Sequence, residues 1–420
     1  MLWSLCCLLV VGAALGYTPP PPRRPSVPPP KEERRKPEPL ESWGAFEVPY
    51  RMGVSTVSWG DTNNGWRPEV KKRFREPECF GVDDISAAYN KLAQQGGIEL
   101  WEVAAGGPGP GLLGRCAEVN TQLSLPRVVA RCAPTSPVAR IHRMMDPWPQ
   151  LSVRSAGVSV RAAVDQTLED MGSAYLDLLL VGPRIQRRGP LSTVDLKVAL
   201  AVGNLQKVAR GSVDDVGVAN IGGGRALRHA HALFEQRGLR LVACAVDFSI
   251  LNKKATWDGT LEVAKELDIT VLARSPLCRG LASGKYHLGN PTGGEPGDTN
   301  VFGATPLWRK RALNRVKNVH EALRNVASQV SARLSEDARA GASKGQAATK
   351  VTTAQVALQW IIAKGAVPLP AVKFEKHADE ILGCRNWFLT QEEVDILDKV
   401  ARNGPPPFPR LREVGYAGFW

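Results

Sequence analysis

Residues Ile98 to Gly114 read Ile-Glu-Leu-Trp-Glu-Val-Ala-Ala-Gly-Gly-Pro-Gly-Pro-Gly-Leu-Leu-Gly. The pattern is a short buried strand, a loop and the opening turn of a helix, with the carboxylate of Glu102 at the strand's C-terminal end. In parallel α/β proteins the C-terminal ends of strands are where chemistry is placed. The loop that follows Glu102 holds glycine and proline and no side chain that transfers a proton. One segment thus bears both on the fold and on whether the fold is chemically active.

The same alternation continues along the chain from Val48. Strands are predicted at Arg51–Ser58, Ile98–Val103, Arg127–Arg131, Leu176–Val181, Val213–Val218, Leu241–Val246, Thr270–Ala273 and Ala366–Leu369. They are rich in Val, Ile and Leu without period-two alternation, as expected of strands buried on both faces. Helical periodicity fills the intervals: Asp83–Gln95, Leu112–Val119, Val158–Met171, Thr193–Ala209, Gly224–Gln236, Gly259–Leu267, Leu307–Leu334, Thr353–Ala363 and Lys376–Leu382. A last helix, Gln391–Arg402, carries Thr390 as N-cap with Glu393 three residues on, a capping box. Eight strands with helical crossovers predict an α/β fold of the (β/α)8 TIM-barrel kind. No GxGxxG joins a first strand to a first helix, which removes the main argument for a Rossmann domain.

Outside that body the composition changes. Leu2–Leu15 is apolar and followed by small residues, so residues 1–16 read as a signal-peptide-like segment without a positive start. Residues 17–44 form a leader rich in proline and charge that cannot bury enough surface to order itself. This places the chain in the secretory pathway; a two-part plastid leader is the alternative. The barrel is expected over residues 45–404, with an insertion near 335–350 where Gly341–Lys350 is rich in Ala, Gly, Ser and Lys. Residues 405–420 form a tail. Cys6 and Cys7 fall in the leader, and Cys79, Cys116, Cys132, Cys244, Cys278 and Cys384 show neither CxxC pairing nor metal-ligand spacing, so buried thiols are expected and no metal. Net charge is +13, to which residues 1–44 contribute only +2 (six basic, four acidic). The basic body lacks aromatic-basic interleaving, so a solvated surface is read and not a nucleic-acid site. No membrane span is expected in the mature body.

Ile269-Thr-Val-Leu-Ala-Arg-Ser-Pro-Leu-Cys-Arg-Gly-Leu-Ala-Ser-Gly-Lys-Tyr286 closely resembles the seventh strand and following loop of the aldo/keto reductase family. Other segments agree in order: Trp59-Gly-Asp61, Leu112-Leu-Gly-Arg115, Tyr175-Leu-Asp-Leu178, Gly217-Val-Ala-Asn220, Val246-Asp-Phe-Ser-Ile-Leu251, Ala354-Gln-Val-Ala-Leu-Gln-Trp360 and Pro368-Leu-Pro-Ala-Val-Lys373. The resemblance implies a (β/α)8 barrel, NADP as cofactor, and reduction of a small-molecule aldehyde or ketone. It also implies a catalytic tyrosine, lysine, aspartate and histidine. The aspartate position falls on Glu102, the tyrosine near Gly107, the lysine on Arg131, and the histidine on Val181 or Gly182. No register recovers the others: no tyrosine lies between Tyr89 and Tyr175, no lysine between Lys91 and Lys197, and before His229 the chain has only His142. Arginine keeps its charge and donates in a fixed fork, so it is a poor stand-in for lysine. Glu102 and Arg131 are expected to form an ion pair that braces the barrel mouth; the alternative is a catalytic role, with Glu102 or a bound water as the replaced acid.

The cofactor positions implied by the resemblance are better kept. They are Asn220 for the carboxamide, Phe248 for stacking on the nicotinamide, Ser275, Pro276 and Leu277 near the pyrophosphate, Lys373 for the 2′-phosphate and Glu380 for adenine. Departures are Ala219, Ala245, Phe374, His377 and Ile381, and Phe248 also reads as barrel core. Three functions stay open: a degenerate NADP-binding member with weak or no turnover, a working oxidoreductase with a replaced acid, and a non-catalytic subunit that binds a protein partner.

Overall fold

A computed structural model describes residues 44–61, 66, 80–95, 97–119, 126–132, 149–182, 212–291, 310–339 and 350–402. The elements run β1 (Gly53–Ser55), α1 (Val82–Asn90), β2 (Leu100–Ala104), α2 (Gly109–Glu118), β3 (Arg127–Cys132), α3 (Pro149–Met171), β4 (Leu176–Val181) and β5 (Val213–Ala219). Then follow α4 (Gly224–Glu235), β6 (Leu241–Asp247), α5 (Lys254–Trp257), α6 (Thr260–Glu266), β7 (Thr270–Arg274), α7 (Lys310–Arg339), α8 (Thr353–Ala363), β8 (Ala366–Leu369), α9 (Glu375–Leu382) and α10 (Gln391–Arg402).

The strands pair in sequence order, each parallel to the next. A parallel bridge from Ser55 to Ala371 and the Ser55 N–H bond to Pro370 O (2.9 Å) bring the first strand back to the last. The predicted (β/α)8 barrel is therefore the observed fold. Alternate strand positions divide between two apolar clusters. Leu100, Val129, Leu178, Leu180, Ala243, Ala245, Leu272 and Val367 fill the barrel interior. Trp101, Val103, Val128, Leu179, Cys244 and Val271 belong to the larger cluster that includes the surrounding helices.

The barrel floor is stoppered by the segment that precedes β1. Phe46 joins the interior cluster, its N–H and C=O both bonded to the Thr270 hydroxyl (3.0 and 2.9 Å) at the first residue of β7. Arg127, at the first residue of β3, donates to Glu47 O (2.7 Å) and lies over the Phe46 ring.

Several predicted bounds shift for local reasons. The first strand is three residues long instead of Arg51–Ser58, because Trp59 N–H bonds back to Thr56 O (2.8 Å) and turns the chain. Helix α2 begins at Gly109 and not at Leu112; Pro110 is tolerated in a first turn, where its missing N–H has no partner to lose. Helix α3 starts at Pro149, earlier than Val158, α7 runs on to Arg339, and the short α5 has no counterpart in the predicted set. The α10 capping box forms through Thr390 N–H to Glu393 (2.8 Å) and Glu393 N–H to Thr390 Oγ1 (3.3 Å). Among the described residues Cys116, Cys132, Cys244, Cys278 and Cys384 are free thiols. The predicted helix Thr193–Ala209, positions 341–349 of the insertion, the leader through residue 43 and the tail lie outside the described residues.

Candidate active site at the barrel mouth

Glu102 occupies an interior position of β2, two residues beyond Leu100, and is 2% exposed. Its Oε1 lies 3.4 Å from Arg131 Nε on β3 and 3.6 Å from Arg274 Nε on β7. Arg274 Nη2 reaches toward Asp247 Oδ1 at the end of β6 (3.8 Å). The expected Glu102–Arg131 pair is thus one edge of a larger network that ties four strands together. Arg274 and Asp247 were not among the residues singled out from the sequence. A signal was present: an arginine closing the apolar strand Thr270-Val-Leu-Ala-Arg274, in phase with interior Leu272.

Burial dominates the electrostatics of Arg131. Desolvation, followed by repulsion from Arg274, lowers the Arg131 guanidinium to about 10, against the opposing pull of Glu102 and Asp247. It stays charged at neutral pH and cannot cycle a proton there. Charges buried this deeply recover their desolvation cost only from one another, so losing one member leaves the others uncompensated.

The loop after β2 is tethered at several points, while Gly106 and Pro108 stay exposed. Gly107 N–H bonds Ala104 O (3.1 Å), and Ala105 N–H bonds Arg131 O (2.9 Å). Thr56 donates both its N–H (2.9 Å) and its hydroxyl (3.0 Å) to Glu102 O, clamping the loop after β1 to β2. Gly60 sits at φ +78°, and a Cβ there would stand 2.3 Å from Pro108 Cγ, so the two loops meet where only glycine fits. At the expected histidine position Val181 is 2% exposed, and a Cβ on Gly182 would stand 2.5 Å from Ala219 O.

The opposite side of the mouth carries the positions expected to hold a cofactor. Asn220, just after β5, adopts φ +52° with its N–H on Ala245 O (2.8 Å). Ser275, just after β7, adopts φ +48°, and Cys278 and Arg279 follow at +47° and +55°. Cys278 N–H returns to Ser275 O (2.9 Å) and Ala282 N–H to Leu277 O (3.0 Å), winding Ser275-Pro276-Leu277 into a tight turn. Phe248, read both as a stacking ring and as core, is 0% exposed and its ring lies 5.4 Å from that of Trp360 on α8. With no exposed face, the ring packs as core.

Beyond β8, cations gather. Lys285, Lys373 and Lys376 all act on His377, and with burial as the larger cause they push its imidazole down to about 3. His377 Nδ1 accepts the Lys373 N–H (3.2 Å), which fixes the ring as a neutral acceptor. Lys373 Nζ lies 5.0 Å above the Phe80 ring, and Phe80 meets Phe374 edge to face. Glu380 accepts from the Thr352 hydroxyl and burial raises its pKa. Three lysines acting on one buried imidazole mark a positive region that suits a phosphate. No group of three His, Cys, Asp or Glu that could hold a metal occurs among the described residues, and no described helix is long and apolar enough to cross a membrane.

Comparison with known proteins gives the same frame. The sequence profile of the Aldo/keto reductase family matches residues 124–402. Pyridoxal reductase, chloroplastic, of Arabidopsis thaliana is 28% identical over 204 residues, 48% of either chain. Aldo-keto reductase str7 of Strobilurus tenacellus is 28% identical over 252 residues, covering 59% of this chain and 65% of its own length. The matched region thus spans between about half and two thirds of these relatives. Among solved structures, the glycerol dehydrogenase AKR11B4 from Gluconobacter oxydans superposes with a TM-score of 0.56 at 16% identity, over 87% of this chain and 97% of that one. The thermostable aldo-keto reductase Tm1743 gives 0.51 at 19% identity, over 85% and 96%. At those identities the likeness is one of fold.

Proposed function

The chain belongs to the aldo/keto reductase family, and on that premise we propose that its barrel binds NADP(H) while reduction of aldehydes or ketones is slow or absent. The observation that carries this reading is the Glu102–Arg131–Arg274 network in the barrel interior, beside a loop, Ala104–Pro108, that holds no protonatable side chain. Bound NADPH would supply a hydride. The alkoxide that forms needs a proton, and loss of a general acid typically costs about 10²–10⁴-fold.

Binding rests on other residues. Lys373, with Lys285 and Lys376 close by, would take the 2′-phosphate, and the turn Ser275-Pro276-Leu277 would lie against the pyrophosphate. Glu380 would approach the adenine and Asn220 the carboxamide. The nicotinamide end is less well equipped, because Phe248 has no exposed face and Ala245 carries no amide. Glu102 and Arg131 hold the mouth in shape by charge and are assigned no proton transfer. The substrate class implied by the family is a small aldehyde or ketone.

The test is a fluorescence titration of the full chain with NADPH, followed by a panel of aldehydes and ketones. Saturable binding with little or no oxidation is expected. Rapid turnover that Glu102→Gln abolishes would instead make Glu102 the replacement acid. Absence of binding would overturn the cofactor assignment and leave a non-catalytic, protein-binding role for the barrel.

A further inference from the structure

Away from the mouth, the segment after β7 and one face of α7 enclose a cavity of about 350 Å³. Leu313, Lys317, His320, Glu321 and Arg324 are spaced three and four apart, so they line a single stripe of α7. His287, Leu288 and Gly289 form the facing wall. Leu313 and His320 are buried, each 2% exposed, while His287, Lys317 and Arg324 stand at the rim. His320 Nε2 holds the two walls together through Leu281 O (2.6 Å).

The chemistry of this lining is one-sided. Lys317 is matched by Glu321 (3.7 Å) one turn along, but the Arg324 guanidinium forms no ion pair or hydrogen bond among the described residues. The ring of His287 accepts the Gly289 N–H at Nδ1 (3.2 Å), which leaves the proton of the neutral imidazole on Nε2 as a donor. Burial first, then Arg324 and His287, lower the His320 pKa against the opposing bond to Leu281, so the groups crowd each other electrostatically. Arg324, Lys317 and the His287 Nε2–H line one concavity whose single carboxylate, Glu321, already faces Lys317, a donor set that a phosphate group satisfies. The volume exceeds that of a bare ion and falls in the range of small-molecule sites.

We infer that this cavity binds a small phosphate-bearing molecule, held by Arg324, Lys317 and His287 against His320. The inference is independent of the cofactor reading, since none of these residues is assigned to NADP(H).

The test uses the full chain with ring-labelled histidine, titrated with inorganic phosphate at constant ionic strength while the His287 and His320 signals are followed by NMR. Saturable shifts of both are expected, together with a rise in the His320 pKa as the anion offsets the surrounding charge. Arg324→Gln should weaken the phosphate affinity by about tenfold or more, as expected for loss of a charge-assisted bond. His287→Gln, a second exposed position, should weaken it in the same direction. Shifts that do not saturate, equal affinity in folded Arg324→Gln, or a response to acetate as strong as that to phosphate would each overturn the inference.

Discussion

The two sides of the barrel mouth solve the same backbone problem differently. In the loops that follow β1 and β2, positive φ angles fall on Gly60 and Gly106, where they cost nothing in side-chain sterics. After β5 and β7, they fall on Asn220, which tolerates them, and on Ser275, Cys278 and Arg279, which seldom adopt them. The first side carries Glu102, Arg131 and a glycine-proline loop tethered to the loop before it. On the second, sterically costly turns stand beside a cluster of lysines. Strain of this kind, of order 1–3 kcal/mol per residue, persists where surrounding contacts fix it, and such positions gather at ligand sites. The contrast places the proposed loss of chemistry on one side and the proposed retention of cofactor binding on the other.

The contrast can be broken most forcefully at Glu102. Glu102→Ala leaves two buried guanidiniums facing each other and should cost about 3–5 kcal/mol of stability, read as a fall in the urea midpoint. A near-neutral result would mean that water or another group replaces the carboxylate and that the network is not a brace. Next is an attempt to return the missing acid. Gly107 has a negative φ, and a Cβ there would meet Ala104 O at 3.3 Å, a tight contact that a small shift relieves. Gly107→Tyr with Arg131→Lys should raise aldehyde reduction by about a hundredfold over the parent chain if the acid is what is lacking. No gain in a variant that still binds NADPH would shift the blame to the nicotinamide end.

On the other side, Lys373→Ala should weaken NADPH by about tenfold relative to NADH, measured by fluorescence titration, since a charge-assisted contact to the 2′-phosphate is lost. Equal loss for both nucleotides would move Lys373 away from that phosphate. The smallest effect at neutral pH concerns His377. Its folded pKa of about 3 lies below the unfolded value of 6.5, so the unfolded chain binds the extra proton first as pH falls. This contribution to stability is intact above pH 6.5 and is lost progressively between 6.5 and about 3. His377→Gln should therefore flatten the acid limb of Tm against pH and leave Tm at pH 8 little changed.

The barrel was legible in the sequence because buried parallel strands have a composition that little else shares. Leu176–Val181 and Ala366–Leu369 match their predicted limits residue for residue. The helix start at Gly109 was not legible, since Gly-Pro-Gly-Pro reads as loop until the strand before it fixes where the chain must turn. Glu102 and Arg131 were readable as a pair because the β2–β3 register joins neighbouring strands. Arg274 lies across the interior, and only closure of the barrel brings β7 to face β2. Phe248 carried two readings, stacking and core, and spacing alone does not say which side of the strand layer an aromatic ring will enter.

The stopper at the barrel floor has a practical corollary for handling the protein. Ala45 N–H on Asp268 O (2.9 Å) and the paired bonds of Phe46 to Thr270 moor the chain at the start of β7, the end of the strand opposite Arg274. An affinity tag or short surface linker joined directly at Gly44 would hold the molecule by its base, mouth outward. Immobilised in that orientation, the barrel would turn its mouth and the lysine cluster toward solution, the geometry that a surface-based nucleotide-binding assay requires.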